Sequence, residues 1–158
     1  MPKKPFENVQ GQENGFSTIT GVFTAAPIFP SFRCEGLDKA GIVWDDVEVA
    51  TIDVGADGLS TTNTKPVVRT ATMTFKPNSS TRKYLDRIIA LSSVSFGVQP
   101  TDYELTYMEV NRMLGTKTIY SGGKVTTAAG GNSATLDDGQ QSKKYAFKFA
   151  GVPVTLPL

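Results

Sequence analysis

No histidine occurs anywhere in the 158 residues. Its absence removes Ser–His–Asp and Cys–His nucleophile pairs, histidine-bound zinc, and the side chain that titrates nearest neutrality. There is one cysteine, Cys34, so no internal disulfide can form, which suits a reducing compartment. It reads as a small buried apolar residue. No stretch approaches the ~20 apolar residues that cross a bilayer. Met1-Pro2-Lys3-Lys4 leads into polar residues rather than an apolar run, so no signal peptide is expected, nor membrane insertion. Excess charge is also missing: 16 basic and 15 acidic residues leave a formal +1. Such a chain has no long-range field to recruit nucleic acid or an anionic membrane as a tight partner. The expectation is a soluble domain made inside the cell.

The motifs of catalysis are missing too. Asp53-Val-Gly-Ala-Asp57-Gly58 faintly resembles a calcium loop. Yet Gly55 stands where a third ligand belongs, Thr64 where the bidentate Glu belongs, and no helices flank it. Adjacent carboxylates in Asp45-Asp46 and Asp137-Asp138 point to opposite faces of an extended chain, so they read as solvated turns. Neither Gly122-Gly123-Lys124 nor Gly130-Gly131-Asn132 has the spacing of a phosphate loop. No enzyme, metal or cofactor is expected.

What is present centres on Val67–Leu91, VVRTATMTFKPNSSTRKYLDRIIAL. Val67, Ala71, Met73 and Phe75 fall on one side, and Val68, Thr70, Thr72 and Thr74 on the other, with Arg69 breaking the apolar face. This period of two predicts a strand. Pro77 and the Asn78-Ser79-Ser80 caps stop it. The helical spacing of Tyr84, Leu85, Ile88 and Leu91 then predicts the chain's single helix, over about 80–91.

Around that unit, residues 1–15 read as a flexible arm and Phe16–Thr24 as a first strand. Pro27 and Pro30 make Ala25–Phe32 an irregular segment that plugs apolar residues into the core, and Arg33–Gly41 reads as loop. Trp44 is a core or interface anchor. Val47–Val54 is a strand, joined to the Val67 strand by the long polar connection 55–66; such loops tend to be contact surfaces. Short strands are expected at Val94–Val98 and Tyr103–Met113. Lys117–Tyr120 and Val125–Thr127 form a hairpin turned by Gly122-Gly123. Residues 128–144 read as a flexible loop. Tyr145, Phe147 and Phe149 alternate in a last strand, and 152–158 form an apolar tail lying in a groove of its own domain or of a neighbour's. The fold class is mainly β with one α-helix: a single domain over 1–158, a β-sandwich or small barrel closed on one side by the helix.

Arm, long hairpin, loop and tail are more than a monomer needs. Strand edges must be paired or protected, and one solution is to complete them against neighbouring copies in a ring. Head-to-tail contacts then stack rings into a filament.

In this order of features the chain resembles the tail tube proteins of bacteriophages, most closely those of contractile tails. The likeness rests on the turn Gly55-Ala56-Asp57-Gly58, then on ATMTFKPNSSTRKYLDRIIAL at Ala71–Leu91, and on YAFKFAG at 145–151. It covers roughly 47–91 and 145–151, and pyocin-like and type VI secretion tubes share the plan. The resemblance implies a homo-oligomer: hexameric rings stacked into a hollow tube. A contractile sheath would lie outside and the genomic DNA would transit the lumen without specific binding. Tape-measure, baseplate and neck proteins would be further partners, in the tail of a virion. Mapped here, a subunit or ring interface would involve Gly55, Asp57, Gly58, Leu59, Thr61, Asn63, Lys65 and Arg69. Thr70, Thr72 and Thr74 would form a lumen or inter-subunit face. The competing reading is another tail, neck or baseplate protein, or a monomeric β-sandwich binding module.

Overall fold

The computed structural model describes residues 19–94, 96–97, 99–112, 114–137 and 139–158, so the expected arm over 1–15 lies outside the described residues. In chain order it contains β1 (Ile19–Ala26), β2 (Phe29–Cys34), β3 (Leu37–Trp44), β4 (Ala50–Val54), β5 (Ser60–Thr64) and β6 (Arg69–Phe75). These are followed by α1 (Ser80–Ser92), β7 (Glu104–Asn111), β8 (Thr116–Ala128), β9 (Ala134–Thr135), β10 (Gly139–Gln140), β11 (Lys143–Phe149) and β12 (Val154–Pro157). Eight strands share one antiparallel sheet in the order β2-β1-β7-β8-β11-β6-β3, with β12 on the part of β8 that β11 leaves free. The two end strands, β2 and β3, are joined only by Glu35-Gly36, so the sheet curls back on itself and nearly closes into a barrel. The expected class, mainly β with one helix, holds.

Alternation explains which residues fill it. Ala71, Met73 and Phe75 of β6 are fully buried, as are Leu105 and Tyr107 of β7 and Tyr145, Phe147 and Phe149 of β11. Each large apolar side chain removed from water contributes roughly 1.5–3 kcal/mol. Phe23 of β1 lies 5.3 Å from Phe32, 4.9 Å from Tyr107 and 5.4 Å from Phe147, ring to ring. Trp44 is half-buried and stacks on Tyr120 at 4.3 Å, the anchor its sequence position suggests. Cys34 is 1% exposed.

The helix stops the gap between β2 and β3. Its inward residues are Thr81, Arg82, Leu85 and Ile88. Tyr84 and Leu91, expected inward, are displaced to the margin, and Tyr84 stacks on Phe32 at 4.9 Å. The Thr81 hydroxyl donates to the Arg33 carbonyl and accepts from Glu35 N–H, both at 2.7 Å. Ser79 Oγ donates to the Glu35 carbonyl instead of capping the helix. These bonds satisfy polar backbone at the corner where the sheet fails to close.

Several elements differ from the sequence expectations, each for a local reason. Residues 29–34, expected to be irregular, form β2. It is an edge strand, where Pro30 removes no needed ladder bond. Residues 37–44 pair with β6 as β3, with a register shift between Leu37 and Ile42 that hides the alternation. The connection 55–66 is not a loop, because Ser60–Thr64 forms β5 and pairs with β4. Val94 and Phe96 are exposed and lie in no strand, Phe96 in a turn, and residues 95 and 98 of that expected strand lie outside the described residues. Gly122-Gly123 does not turn a hairpin: β8 continues through it with a bulge, Gly122 taking a left-handed φ of 64° where the register with β7 shifts. A Cβ on Gly123 would sit 2.4 Å from the Phe149 ring and 2.8 Å from the Leu105 carbonyl, so glycine permits close packing there. The 128–144 stretch contains the small β9–β10 hairpin, and within its own domain the tail pairs with β8 as β12 instead of lying in a groove.

Candidate functional site

The β4–β5 hairpin stands apart from the barrel as a two-stranded sheet of its own. Its register runs from Ala50↔Thr64 to Val54↔Ser60. At its base Lys65 N–H donates to the Val49 carbonyl at 3.0 Å, and Lys65 Nζ lies 3.2 Å from Glu48. At its tip Gly55 N–H donates to the Leu59 carbonyl at 2.8 Å, and Asp57 Oδ1 accepts from Leu59 N–H at 3.0 Å. Gly58 takes the left-handed conformation the turn requires, at φ 81°. One face carries Ala50, Ile52 and Val54 opposite Thr64, Thr62 and Ser60. The other carries Thr51 and Asp53 opposite Asn63 and Thr61.

Ile52 and Val54 are each 69% exposed and Leu59 is 70% exposed. An isolated two-stranded ribbon is marginal in water, so a hairpin held out with its apolar face bare needs a surface to rest on.

The structure therefore gathers Gly55, Asp57, Gly58, Leu59, Thr61, Asn63 and Lys65 on one hairpin. Arg69 is not among them. It opens β6 in the barrel, opposite Phe149, and is half-buried. The apolar residues of the arm, Ile52 and Val54, were not singled out by sequence reasoning. They lie in the expected Val47–Val54 strand, whose partner is β5 and not the Val67 strand.

Thr70, Thr72 and Thr74 do lie on one outward face of β6, opposite Lys148, Ala146 and Lys144 of β11. Thr74 is 7% exposed, covered where β3 shifts register, so only Thr70 and Thr72 reach partly to solvent. Lys144 and Lys148 are exposed beside them, so this face is basic. A further open edge belongs to β12, which pairs with β8 alone among the described strands and leaves Val154, Leu156 and Leu158 exposed.

An open cleft of about 530 Å³ runs between α1 and the end of β8. Its charged groups satisfy one another: Lys143 Nζ donates to Asp86 Oδ1 at 2.8 Å and the Tyr145 hydroxyl to the same oxygen at 2.5 Å. Burial and that bond push the Tyr145 hydroxyl well above its ordinary value. Arg82 donates to Asn132 at 2.6 Å and, more weakly, to the Gln141 carbonyl. The group is a strut between helix and barrel. Among the described residues no three Asp, Glu or Cys side chains come together to hold a metal ion.

Comparisons with known proteins bear on what these surfaces are for. No curated protein matches the sequence. Among solved structures, one likeness is to a chain of an extracellular contractile injection system, in a cryo-electron-microscopy structure of the PVC sheath–tube complex in the extended state. It shows 9% identity over 87% of this chain and 88% of the other, with a TM-score of 0.48, too remote to carry an argument. The profile of the family described as tail fiber protein gp32 matches residues 16–153, nearly the whole length. By that match the chain belongs to the tail fiber protein gp32 family and is a structural component of a tail.

Proposed function

We propose that this chain is the repeating subunit of a tail tube, forming hexameric rings that stack into a hollow conduit for DNA. The single observation that supports the reading most is the β4–β5 hairpin: a folded ribbon, outside the barrel, with Ile52 and Val54 bare. A tail component that works alone has no use for such an arm, whereas a subunit joined head to tail to its neighbours does. The open edge of β12 adds a second place where a neighbour continues the sheet. In this reading a sheath surrounds the tube, tape-measure protein occupies it during assembly, and baseplate and neck proteins cap its ends. Subunits are made in the host cytoplasm and end in the virion. Thr70 and Thr72 face the lumen or a subunit seam. Lys144 and Lys148 beside them act as weak, salt-sensitive contacts to a passing polyanion rather than a binding site. Arg69 pairs with a carboxylate at a seam.

The family's description favours a second reading, a subunit of a fibre. Negative-stain microscopy of the concentrated, purified chain separates the two. Rings about one subunit thick with an open centre, alone or stacked, support the tube. Thin solid fibres support the second reading, and dispersed single particles count against both.

A further inference from the structure

Where the β4–β5 hairpin leaves the barrel there is a cleft of about 290 Å³. Val49, Pro66 and Val67 line it from the hairpin side, Ala150 and Val152 from the end of β11, and Arg69 lies among them. Both walls are fixed by backbone bonds. Lys65 N–H donates to the Val49 carbonyl, and the Ala150 and Gly151 N–H groups donate to the Gly122 and Ser121 carbonyls at 3.2 and 3.0 Å. Val49 is 53% exposed and Val152 80% exposed, so apolar surface stands open to water there. Lys65 is neutralised by Glu48, but the half-buried Arg69 makes no ion pair among the described residues. Asp45, brought near by the bond from its N–H to the Thr70 carbonyl, is exposed and forms none with it. Burial alone shifts the Glu109 carboxyl, so that group does not compensate Arg69 either. The cleft is thus furnished for an apolar side chain with a carboxylate close beside it.

The hairpin's own tip carries that pair. Leu59 is exposed, and Asp57 Oδ1 accepts from its N–H, so one turn presents a leucine and a carboxylate together. Within one molecule they do not meet the cleft. The continuous register from Ala50↔Thr64 to Val54↔Ser60 holds the tip about 17 Å from the base. We infer that the cleft at the base of one hairpin receives the hairpin tip of a second copy, Leu59 between Val49 and Val152 and Asp57 against Arg69. The inference rests on the assembly reading above and names both sides of the contact. Tip against tip sets Asp57 near Asp57, and base against base sets Arg69 near Arg69. Tip in base is the pairing in which opposite charges meet over apolar surface. Leu136 and Asp137 are also exposed together, but their two-residue strands are tied down by Ser142 to Asp38 and by Asn132 to Arg82, so they do not project as the β4–β5 hairpin does. Tip and base are unlike surfaces, so the contact propagates from copy to copy instead of stopping at a dimer.

Cysteines on the two sides test it. The Leu59→Cys and Val152→Cys proteins are mixed, assembled, oxidised and run on a denaturing gel beside each alone, with Leu59→Cys and Val49→Cys as a second pair. All three positions are exposed, and Cys34 is buried and stays in place. The expected result is a covalent dimer from either mixture, at least tenfold above either variant alone, and a ladder past dimer from Leu59→Cys/Val152→Cys. Asp57→Asn keeps an acceptor for Leu59 N–H and removes the charge, and is expected to raise the concentration needed for assembly at least tenfold. An unchanged concentration overturns the pairing of Asp57 with Arg69. Assemblies visible by microscopy in which neither pair links overturn the seat while leaving the tube reading standing. So do assemblies in which Val152→Cys links instead to Leu136→Cys, or to Phe6→Cys in the chain ahead of β1. A chain that remains single at every concentration overturns both.

Discussion

Tyr145 of β11 and Asp86 of α1 are joined by a hydroxyl-to-carboxylate bond of 2.5 Å, and Lys143, 9% exposed, reaches the same carboxylate oxygen at 2.8 Å. The bond fixes the helix across a barrel that does not close by itself. Replacing Asp86 with Ala leaves a nearly buried ammonium unpaired and the Tyr145 hydroxyl without its acceptor. The expected cost is about 1–3 kcal/mol, tempered because Asp86 is partly exposed. Urea unfolding of Asp86→Ala against the parent measures it. An unchanged midpoint removes the strut from the account.

Alkaline pH strains the same barrel. Burial raises the hydroxyls of Tyr107, Tyr120 and Tyr145 above their ordinary value of 10.0. A group held up in the fold binds its proton more tightly there than in the unfolded chain. Its contribution is therefore complete below about pH 10 and is lost as pH climbs from there toward the folded value. Thermal midpoints are expected to fall progressively above pH 10, and Tyr145→Phe to flatten the fall. A midpoint that holds constant to pH 12 contradicts this.

Glu109 shows the same sign at the acid end. Burial raises its carboxyl above the ordinary 4.5. The stabilisation from its protonated form is present below about pH 4.5 and disappears as pH rises through the folded value, leaving a partly desolvated charge at neutrality. Glu109→Gln is expected to be more stable than the parent at pH 7 and nearly equal to it at pH 4. Differential scanning calorimetry at the two pH values decides, and a less stable variant at pH 7 refutes it.

Gly123 is held by packing. A valine there drives into the Phe149 ring on one side and the Leu105 carbonyl, which is backbone and cannot yield, on the other. Gly123→Val is expected to cost about 1–3 kcal/mol by overpacking. Substitution at the exposed Gly130, where a Cβ meets nothing within 4 Å, provides the control. Equal effects at both sites dispose of the packing role.

Where one face is buried and the other wet, the sequence spelled out the structure. The period of two in β6, β7 and β11 and the helical spacing of α1 are visible because Met73, Tyr107, Phe147 and Leu85 alternate with residues that stay outside. β5 was not visible, because Ser60–Thr64 is exposed on both faces and writes no pattern. β2 and β3 were hidden by Pro27 and Pro30 and by a register shift. Gly122-Gly123 imitated a turn because the positive φ of Gly122 serves a bulge and Gly123 permits close packing, and glycine marks all three with the same letter. At the candidate site, the tip Gly55–Leu59 was legible from its turn residues. The apolar face of Ile52 and Val54 was not, since only the separation of β4 from the barrel reveals it as bare. Nothing in the order of residues shows that Met108 and Ile119 share an outward row, because that depends on pairing between distant strands.

The account depends on copies joined by unlike surfaces. Sedimentation velocity of the purified chain over a hundredfold concentration range tests this most directly, with Ile52→Asp as the comparison. The account predicts a species of six-subunit mass that grows into larger particles as concentration rises, shifted to at least tenfold higher concentration by the substitution. A single 17.0 kDa species for the parent chain throughout contradicts it.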